Sequence, residues 1–469
     1  MSKTAMEQID SLPLTRNQKS LIGLTIVGNI SEFFDLFLIG FVIHLLMKTP
    51  GWELTGFEAG IIGAASGIGT VLGAVLWGRL ADSIGRKKAF IWCIAVLVFF
   101  TAVTLTIQPG QWQLLSLYRV GVCIGVGGLN ITSIPFVQEF VPAQQRGLLS
   151  GLTSVFIPLG IFLGSLATKV LGEPFGWKGL IALGCIPVVL IAWAAIVPES
   201  PRFLISHGQI DEARKAYAWA MRIPEGNVGE LPVIPSENSS EKVAKVSYGH
   251  VLHKYPKQLV IISLGSFCFI LGAFTVQSWG QSILGESFKF DVSTVAYMFM
   301  GVSLADLLGR LGSAWISDRI GRRRTMFIWG LFGAVGCVIA AISAKVASGT
   351  FSGTGAESSS TVHTAGIVFF IGIVVAMAFG DGAFGILNAF GAEQFPNDVR
   401  STGVGLGYGI GAIAKVVGPY FVGALIGGGK PTPDVVFLPF IVFAVLLVAG
   451  GFIYLQADET AGKQLEQIK

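Results

Sequence analysis

The segment GRLADSIGRKK at residues 78–88 returns as AWISDRIGRRR at residues 314–324. Both copies contain D-x-x-G-R-[KR]-[KR], which begins at Asp82 in the first copy and at Asp318 in the second. Each copy stands between two long apolar runs, so each is interpreted as a short charged loop between two helices. A repeat of this kind indicates that the chain consists of two related halves.

A second repeated pattern supports the same division. E-x-x-P-x-x-x-R starts at Glu139 and at Glu393 and ends at Arg146 and at Arg400. The two patterns follow one another in the same order in both copies. The polar segment 199–256 lies between the copies and is interpreted as a linker that joins two homologous halves.

The composition places this repeat in a membrane. Hydrophobic residues make up 52% of the 469 residues and charged residues only 13%, whereas soluble proteins carry roughly 25% charged residues. This excludes a nucleic-acid-binding protein, a disordered chain and a soluble multidomain enzyme. The odd number of cysteines, five in all, argues against a disulfide framework or a metal cluster. No phosphate-binding Gly-rich loop occurs in the linker, which disfavours an ATP-driven pump.

Apolar runs bounded by charges or by Gly/Pro clusters predict an all-α membrane protein with twelve transmembrane helices. One crossing needs about 20 apolar residues. The predicted spans are 19–47, 57–77, 89–107, 114–138, 148–172, 179–198, 257–282, 293–316, 326–346, 364–392, 404–428 and 435–456.

Lys and Arg in the short loops predict the orientation. The loops after the second and eighth spans are basic, whereas the loop 347–363 contains neither Lys nor Arg. Because positive loops stay inside, we expect both termini and the linker to be cytoplasmic. Within the linker, Gly208–Met221 has helical composition. The expected segments are a cytoplasmic N-terminal segment 1–18, a six-helix half 19–198, the linker 199–256, a six-helix half 257–456 and a cytoplasmic tail 457–469.

Further motifs add to the repeats. Y-R-x-x-x-x-I-G-V-G starts at Tyr118, P-E-S-P-R-F-L at Pro198, and E-T-x-G-x-x-L-E at Glu459. Together with the repeats, these motifs resemble the sugar-porter and organic-ion branch of the major facilitator superfamily, over essentially the whole chain. The resemblance implies two pseudo-symmetric six-helix halves, a substrate site near the middle of the membrane and alternating access.

Within that branch the chain departs from sugar porters. Its seventh span lacks their Gln-Leu-Ser pattern, and the Trp expected before Glu393 in the tenth span is absent. N-x-x-E-x-x-D from Asn29 to Asp35 and EQFPNDVRSTG at 393–403 look more like niacin, aromatic-acid and other organic-acid:proton symporters.

Ionisable residues inside the spans are costly and mark functional positions. Glu32 and Asp35 lie three residues apart, hence on one face of the first helix. The resemblance implies that Asp35 faces Arg119 on the fourth helix. We expect Asp35, Arg119 and, second to them, Glu32 to couple proton movement to transport. The alternative is a permanent structural ion pair. His44 is interpreted as an interfacial histidine.

Four more charges lie at mid-depth in the second half. Asp306 and Arg310 can neutralise one another at i,i+4 spacing, and Asp381 can pair with Lys415 on the next helix. Alternatively, these residues line the substrate site. Arg310 would then bind a substrate carboxylate through two hydrogen bonds from its planar guanidinium group, and Lys415 would attract an anion.

The resemblance also implies that helix 1 and the outer part of helix 7 line the cavity. A Gln beside a Trp can hold a flat ligand. The further candidate substrate contacts are Phe34, Phe274, Gln277, Trp279, Gln281 and Asn388.

The repeated charged motifs predict conformational latches at the cytoplasmic rim. We expect these ion-pair networks to stabilise the outward-open state and to break on inward opening. The predicted latch residues are Asp82, Arg86, Glu139, Arg146, Glu199, Arg202, Asp318, Arg322, Glu393 and Arg400.

The sequence therefore predicts a proton-coupled secondary transporter that imports a small organic acid, without covalent chemistry, cofactor or metal. Its expected partners are the substrate, protons and the lipid bilayer, not nucleic acid. We expect the protein to be a monomer in the plasma membrane, which in a bacterium is the inner membrane. The alternatives are a sugar or polyol:proton symporter, an organic-cation or drug exporter of the same fold, a passive facilitator and a transporter-like receptor.

Overall fold

The computed structural model describes residues 4–142, 155–231, 248–349, 359–396 and 399–460, and the regular structure within these ranges is helical. In the described residues of the first half, a short N-terminal helix is followed by six apolar helices of different lengths. They are α1 (Ala5–Ser11), α2 (Arg16–Leu46), α3 (Gly56–Ile84), α4 (Arg86–Thr104), α5 (Trp112–Gln138), α6 (Pro158–Leu183) and α7 (Val188–Ile196).

In the described part of the linker, three short α-helices and one 3₁₀ turn (Glu225–Asn227) precede the second half. Two helices of that half are extended by a π-helical turn. The linker helices are α8 (Pro201–Ser206), α9 (Ile210–Met221) and α10 (Tyr248–Lys254). The second half contains α11 (Pro256–Ser282, with a π turn at Ile283–Ser287), α12 (Val292–Ile320), α13 (Arg322–Ala347), α14 (Ser359–Ala376, with a π turn at Met377–Asp381), α15 (Phe384–Glu393), α16 (Arg400–Gly411), α17 (Ala414–Ile426) and α18 (Pro433–Leu455).

Eleven helical segments in the described part of the chain are long and apolar enough to cross a membrane, one fewer than predicted. The difference lies in Pro158–Ile196, which counts as a single segment of 39 residues. One straight helix of that length would measure about 58 Å, roughly twice the ~30 Å hydrocarbon core. The segment is broken at Gly176, where φ is 58°, close to the predicted boundary between the fifth and sixth spans.

Side-chain caps fix where several spans begin. Thr15 and Thr55 start α2 and α3 with complete capping boxes, which satisfy otherwise unpaired backbone N–H groups. Asp291 starts α12 and accepts hydrogen bonds from the backbone and side chain of Thr294. These bonds lower the pKa of the Asp291 carboxyl from its usual value, because they stabilise its charged form.

The N-terminal segment is tied to the linker. Gln8 Nε2 donates to the carbonyl of Asn227 at 3.1 Å, and Asn17 Nδ2 donates to the carbonyl of Trp219 at 2.7 Å. The helix predicted within Gly208–Met221 is confirmed by α9. The linker therefore packs on the first half through specific hydrogen bonds.

The two ends of the bundle differ. We call the end with the charged loops Ile84–Arg86 and Ile320–Arg322 the basic end, and the other the opposite end. The halves pack closely at the opposite end, where the first part of α3 crosses α17. A Cβ atom added to Gly60 would lie 2.7 Å from the Cα of Gly423, and Gly56 N donates to the Gly429 carbonyl at 2.7 Å. Small residues permit this approach.

Candidate transport site

Arg119 and Asp35 form a buried ion pair between α5 and α2. Arg119 Nη1 donates to Asp35 Oδ2 at 2.6 Å, Nη2 donates to the Asp35 carbonyl at 3.0 Å, and Nε donates to Ser66 Oγ at 2.9 Å. Asp35 and Arg119 are 6% and 5% exposed. The structure thus brings together the two residues that the sequence assigned to proton coupling, and adds Ser66 of α3 as a third partner.

A small cavity adjoins this pair. Its volume is about 20 Å³, and its polar lining is Asp35, Arg119, Thr101 and Thr104. A space of this size with several polar groups can hold one water molecule. Glu32 lies one turn away from Asp35 on α2 and is buried as well. The Asp35 carboxylate therefore lies beside a space that can hold one water molecule.

Arg310 is the centre of a second buried cluster. Its Nε donates to Asp306 Oδ1 at 3.1 Å and its Nη2 donates to Asp381 Oδ2 at 2.6 Å. Gln277 Nε2 of α11 approaches the same Asp381 oxygen at 3.5 Å. The expected Asp306–Arg310 pair is present.

Asp381 does not pair with Lys415, the partner suggested by the order of the helices. Asp381 contacts Arg310 because its π turn packs closely against α12, where a Cβ on Gly309 would collide with the Ala378 carbonyl. Among the residues that the structure describes, the Lys415 ammonium has no carboxylate within salt-bridge distance. The Asp381–Lys415 pair is therefore absent from this conformation.

Lys415 lies where the two halves meet. It is 9% exposed, and its Nζ stands 5.6 Å from the ring centroid of Phe274, a cation–π contact. Its backbone carbonyl packs on Gly67 of α3, where a Cβ atom would collide with it. Gly67 follows Ser66, so α3 connects Lys415 to the Arg119–Asp35 pair.

Two further predicted contacts, Trp279 and Gln281, belong to α11. Trp279 Nε1 donates to the Pro419 carbonyl at 3.1 Å, which holds α11 against α17. The Gln281 side chain is fully buried, and neither of its polar atoms has a hydrogen-bond partner in the described structure. It faces Gly40 of α2, where a Cβ would lie 2.5 Å from Gln281 Oε1. Because buried amides are normally paired, Gln281 is a candidate ligand contact.

The last two predicted contacts are Phe34 and Asn388. Phe34 is half-buried and packs towards Gly164 of α6. Asn388 is exposed on α15, seven residues or about 10 Å along the helix from Asp381.

The opposite end holds a charged contact that sequence reasoning missed. Glu286, in the π turn after α11, has its carboxylate 3.8 Å from His44 Nδ1, 3.6 Å from Lys48 Nζ and 3.5 Å from Lys430 Nζ. His44 and Lys48 belong to the first half, so Glu286 joins the halves. The only sequence signal was one acidic residue at the end of an apolar run.

The predicted latch residues form two equivalent networks at the basic end. In the first half, Arg86 pairs with Asp82, its Nε lies 3.6 Å from Glu139 Oε1, and Ser200 Oγ donates to Glu139 Oε2. Burial raises the pKa of the Glu139 carboxyl to about 7, although the charges of Arg86 and Arg202 act in the opposite direction.

The second network repeats the first. Arg322 Nη1 lies 3.0 Å from Asp318 Oδ1 and its Nε 3.4 Å from Glu393 Oε2, and Thr460 Oγ1 donates to Glu393. These pairs of described residues each lie within one half. Arg146 and the side chain of Arg400 are outside the described residues.

A carboxylate caps one helix in each network. Glu199 accepts the backbone N–H groups of Lys87 and Lys88 at 2.8 and 3.3 Å. Glu459 accepts those of Arg322 and Arg323 at 2.9 and 3.3 Å. Glu459 was missed as a network residue, although its E-T dipeptide repeats the E-S dipeptide at Glu199.

Residues 22–469 match the sequence profile of the family described as "Sugar (and other) transporter". The chain belongs to this family. It is a multi-pass membrane transporter and not an enzyme.

Similar proteins agree with this assignment. The niacin transporter NiaP of Acinetobacter baylyi is 27% identical over 467 residues, 99% of both chains, and the putative niacin/nicotinamide transporter NiaP of Bacillus subtilis is 26% identical over 451 residues, 96% of this chain and 98% of its own. Among solved structures, the inward-open xylose transporter XylE from Escherichia coli superimposes with a TM-score of 0.70 at 18% identity, covering 96% of this chain and 99% of XylE. The fold is that of the major facilitator superfamily.

Proposed function

We propose that this transporter imports a small organic acid together with protons by alternating access. The proposed substrate class rests on the surroundings of Lys415. Arg119 and Arg310 each contact a carboxylate of the protein, whereas Lys415 has no carboxylate within salt-bridge distance in the described structure. A buried cation without a counter-charge attracts an anion.

The surroundings of Lys415 suit a small flat acid. Phe274 offers an aromatic face next to the ammonium. Gln281 lies seven residues, about 10 Å, farther along the same helix, and its amide offers a donor and an acceptor that have no hydrogen-bond partner among the described residues. The relatives named for niacin support this class, because niacin is a pyridine carboxylic acid. Other small carboxylates satisfy the same groups.

Proton coupling is assigned to the Arg119–Asp35 pair. When Asp35 is ionised, its carboxylate accepts a hydrogen bond from Arg119, which also donates to the Asp35 carbonyl and to Ser66 of α3. Protonation of Asp35 removes the charge that binds Arg119, which weakens the contact between α2 and α5. The neighbouring cavity provides space for the water that delivers the proton. Glu32 serves as a second carboxylate on the same helix face.

The proposed orientation puts the basic end in the cytoplasm, since positive loops stay inside. If Pro158–Ile196 crosses the membrane twice, there are twelve spans and both termini are cytoplasmic. The closely packed opposite end is then external, and this conformation is closed to the outside. Each basic-end network joins residues of a single half. The networks therefore stabilise the outward-open state only through further contacts that form when the basic end closes.

A transport assay tests the proposal. The purified protein is reconstituted into liposomes with an alkaline interior, and uptake of labelled nicotinate, an aliphatic acid, a sugar and an organic cation is compared with that of protein-free liposomes. We expect protein-dependent uptake of at least one acid and its loss when the pH gradient is collapsed. Uptake of sugars alone would instead establish the sugar:proton symporter, to which the xylose-transporting fold neighbour corresponds.

A further inference from the structure

Asp306 has an unusual environment in the second half. Its side chain is fully buried on α12, and only Oδ1 accepts a hydrogen bond, from Arg310 Nε. The other oxygen, Oδ2, is buried and has no hydrogen-bond donor in the part of the chain that the structure describes. An ionised carboxylate with one unsatisfied buried oxygen is costly.

The charges of the cluster do not balance. Arg310 supplies one positive charge, whereas Asp306 and Asp381 supply two negative charges if both are ionised. All three side chains are at most 6% exposed. Among the described residues, the charged groups that act on Asp306 are Arg310 and Asp381. Two carboxylates that share one buried site do not both ionise readily.

The two carboxylates are not equivalent. Asp381 Oδ2 accepts the shorter bond from Arg310, 2.6 Å against 3.1 Å for Asp306, and is also approached by the Gln277 amide. The negative charge is therefore better stabilised on Asp381. An added proton on Asp306 would sit on the oxygen that lacks a donor and could bond to the neighbouring carboxylate.

We propose that Asp306 is a second proton-binding site, separate from Asp35, and that it holds a proton in this conformation. Loss of that proton leaves a net negative charge buried between α12 and the π turn of α14, which disfavours this close packing. The site therefore binds a proton in one conformation and releases it to water in another. Proton binding at Asp306 can be measured without substrate, whereas its role in transport rests on the proposed function.

Infrared difference spectroscopy of the purified protein tests this proposal at neutral pH and without substrate. The method detects protonated carboxyl groups by their C=O stretch, which shifts in D₂O. We expect Asp306→Asn to remove one component of that band, and Asp35→Asn to leave the component in place. Thermal unfolding and gel filtration identify variants that do not fold.

Asp381→Asn provides an independent test. Without the second carboxylate, Arg310 neutralises Asp306, and the same component should disappear although Asp306 is intact. A band unchanged in both Asp306→Asn and Asp381→Asn would overturn the proposal, as would a component lost only on Asp35→Asn. Because no substrate is present, this result is separate from success or failure of the uptake assay.

Discussion

Arg119 on α5 donates a 2.6 Å hydrogen bond to the carboxylate of Asp35 on α2, and a second bond of 3.0 Å to the carbonyl of the same residue. The guanidinium thus binds both the side chain and the backbone of α2. A change in the charge of Asp35 alters the attachment of a whole helix. That makes the pair a suitable place for proton binding to bias a conformational equilibrium.

Replacement of Lys415 tests the anion site. Lys415→Gln removes the buried cation, and we expect KM for organic-acid uptake to rise about 10- to 100-fold, since hydrogen bonds to charged groups contribute about 1.5–3 kcal/mol. Lys345→Gln is the matched control, because Lys345 lies 3.2 Å from Asp434 and away from the interface. Equal KM values for the two variants would remove Lys415 from the substrate site.

The packing of α3 on α17 predicts a conformational variant. Gly67→Val places a side chain against the Lys415 carbonyl, and overpacking of this kind costs about 1–3 kcal/mol. The equilibrium should shift towards opening of the opposite end. Gly78→Val on the same helix is the control, because a Cβ there lies 3.7 Å from its nearest neighbour, Ile131.

Thiol labelling measures this shift. A cysteine is introduced at Ser282, which is fully buried at the opposite end, in a protein that lacks the five native cysteines. We expect labelling to become about tenfold faster with Gly67→Val and to stay unchanged with Gly78→Val. The same rate in both variants would contradict closure by the α3–α17 contact.

Glu139 predicts a pH dependence of stability. Its pKa is raised to about 7 by burial, so the folded protein binds a proton that the unfolded chain releases near pH 4.5. The stabilisation is fully present below about pH 4.5 and is lost as the pH rises through about 7. The Glu139→Gln variant lacks this contribution to the pH dependence of the free energy of unfolding. The difference in Tm between wild type and Glu139→Gln should change by a few degrees between about pH 5 and pH 8, and a constant difference would refute the assignment.

Much of this arrangement follows from the sequence. Repeated motifs located the two basic-end networks, and the cost of charge in a bilayer singled out Asp35, Arg119 and Arg310. Helix limits also agree closely in places, as with the predicted span 19–47 and the observed α2. These features depend on patterns local to the chain or duplicated within it.

Other features depend on packing that no local pattern encodes. Arg310 rather than Lys415 pairs with Asp381, because the π turn of α14 approaches α12. Ser66 reaches Arg119, and Glu286 reaches Lys48, only through helix crossings between segments far apart in sequence. The substrate proposal rests on the absence of a carboxylate near Lys415 among the described residues. The sequence did not predict this, because Asp381 on the preceding helix was a possible partner.

Accumulation of an organic acid against its gradient is the measurement that tests the central claim most directly. Proteoliposomes with wild type, Asp35→Asn or the exposed control Asp434→Asn are given an inside-alkaline pH gradient, and protein-free liposomes correct for passive entry. We predict accumulation by wild type and Asp434→Asn, and only equilibration by Asp35→Asn, which retains exchange of the acid without a pH gradient. Undiminished accumulation by a folded Asp35→Asn variant would contradict proton coupling through the Arg119–Asp35 pair.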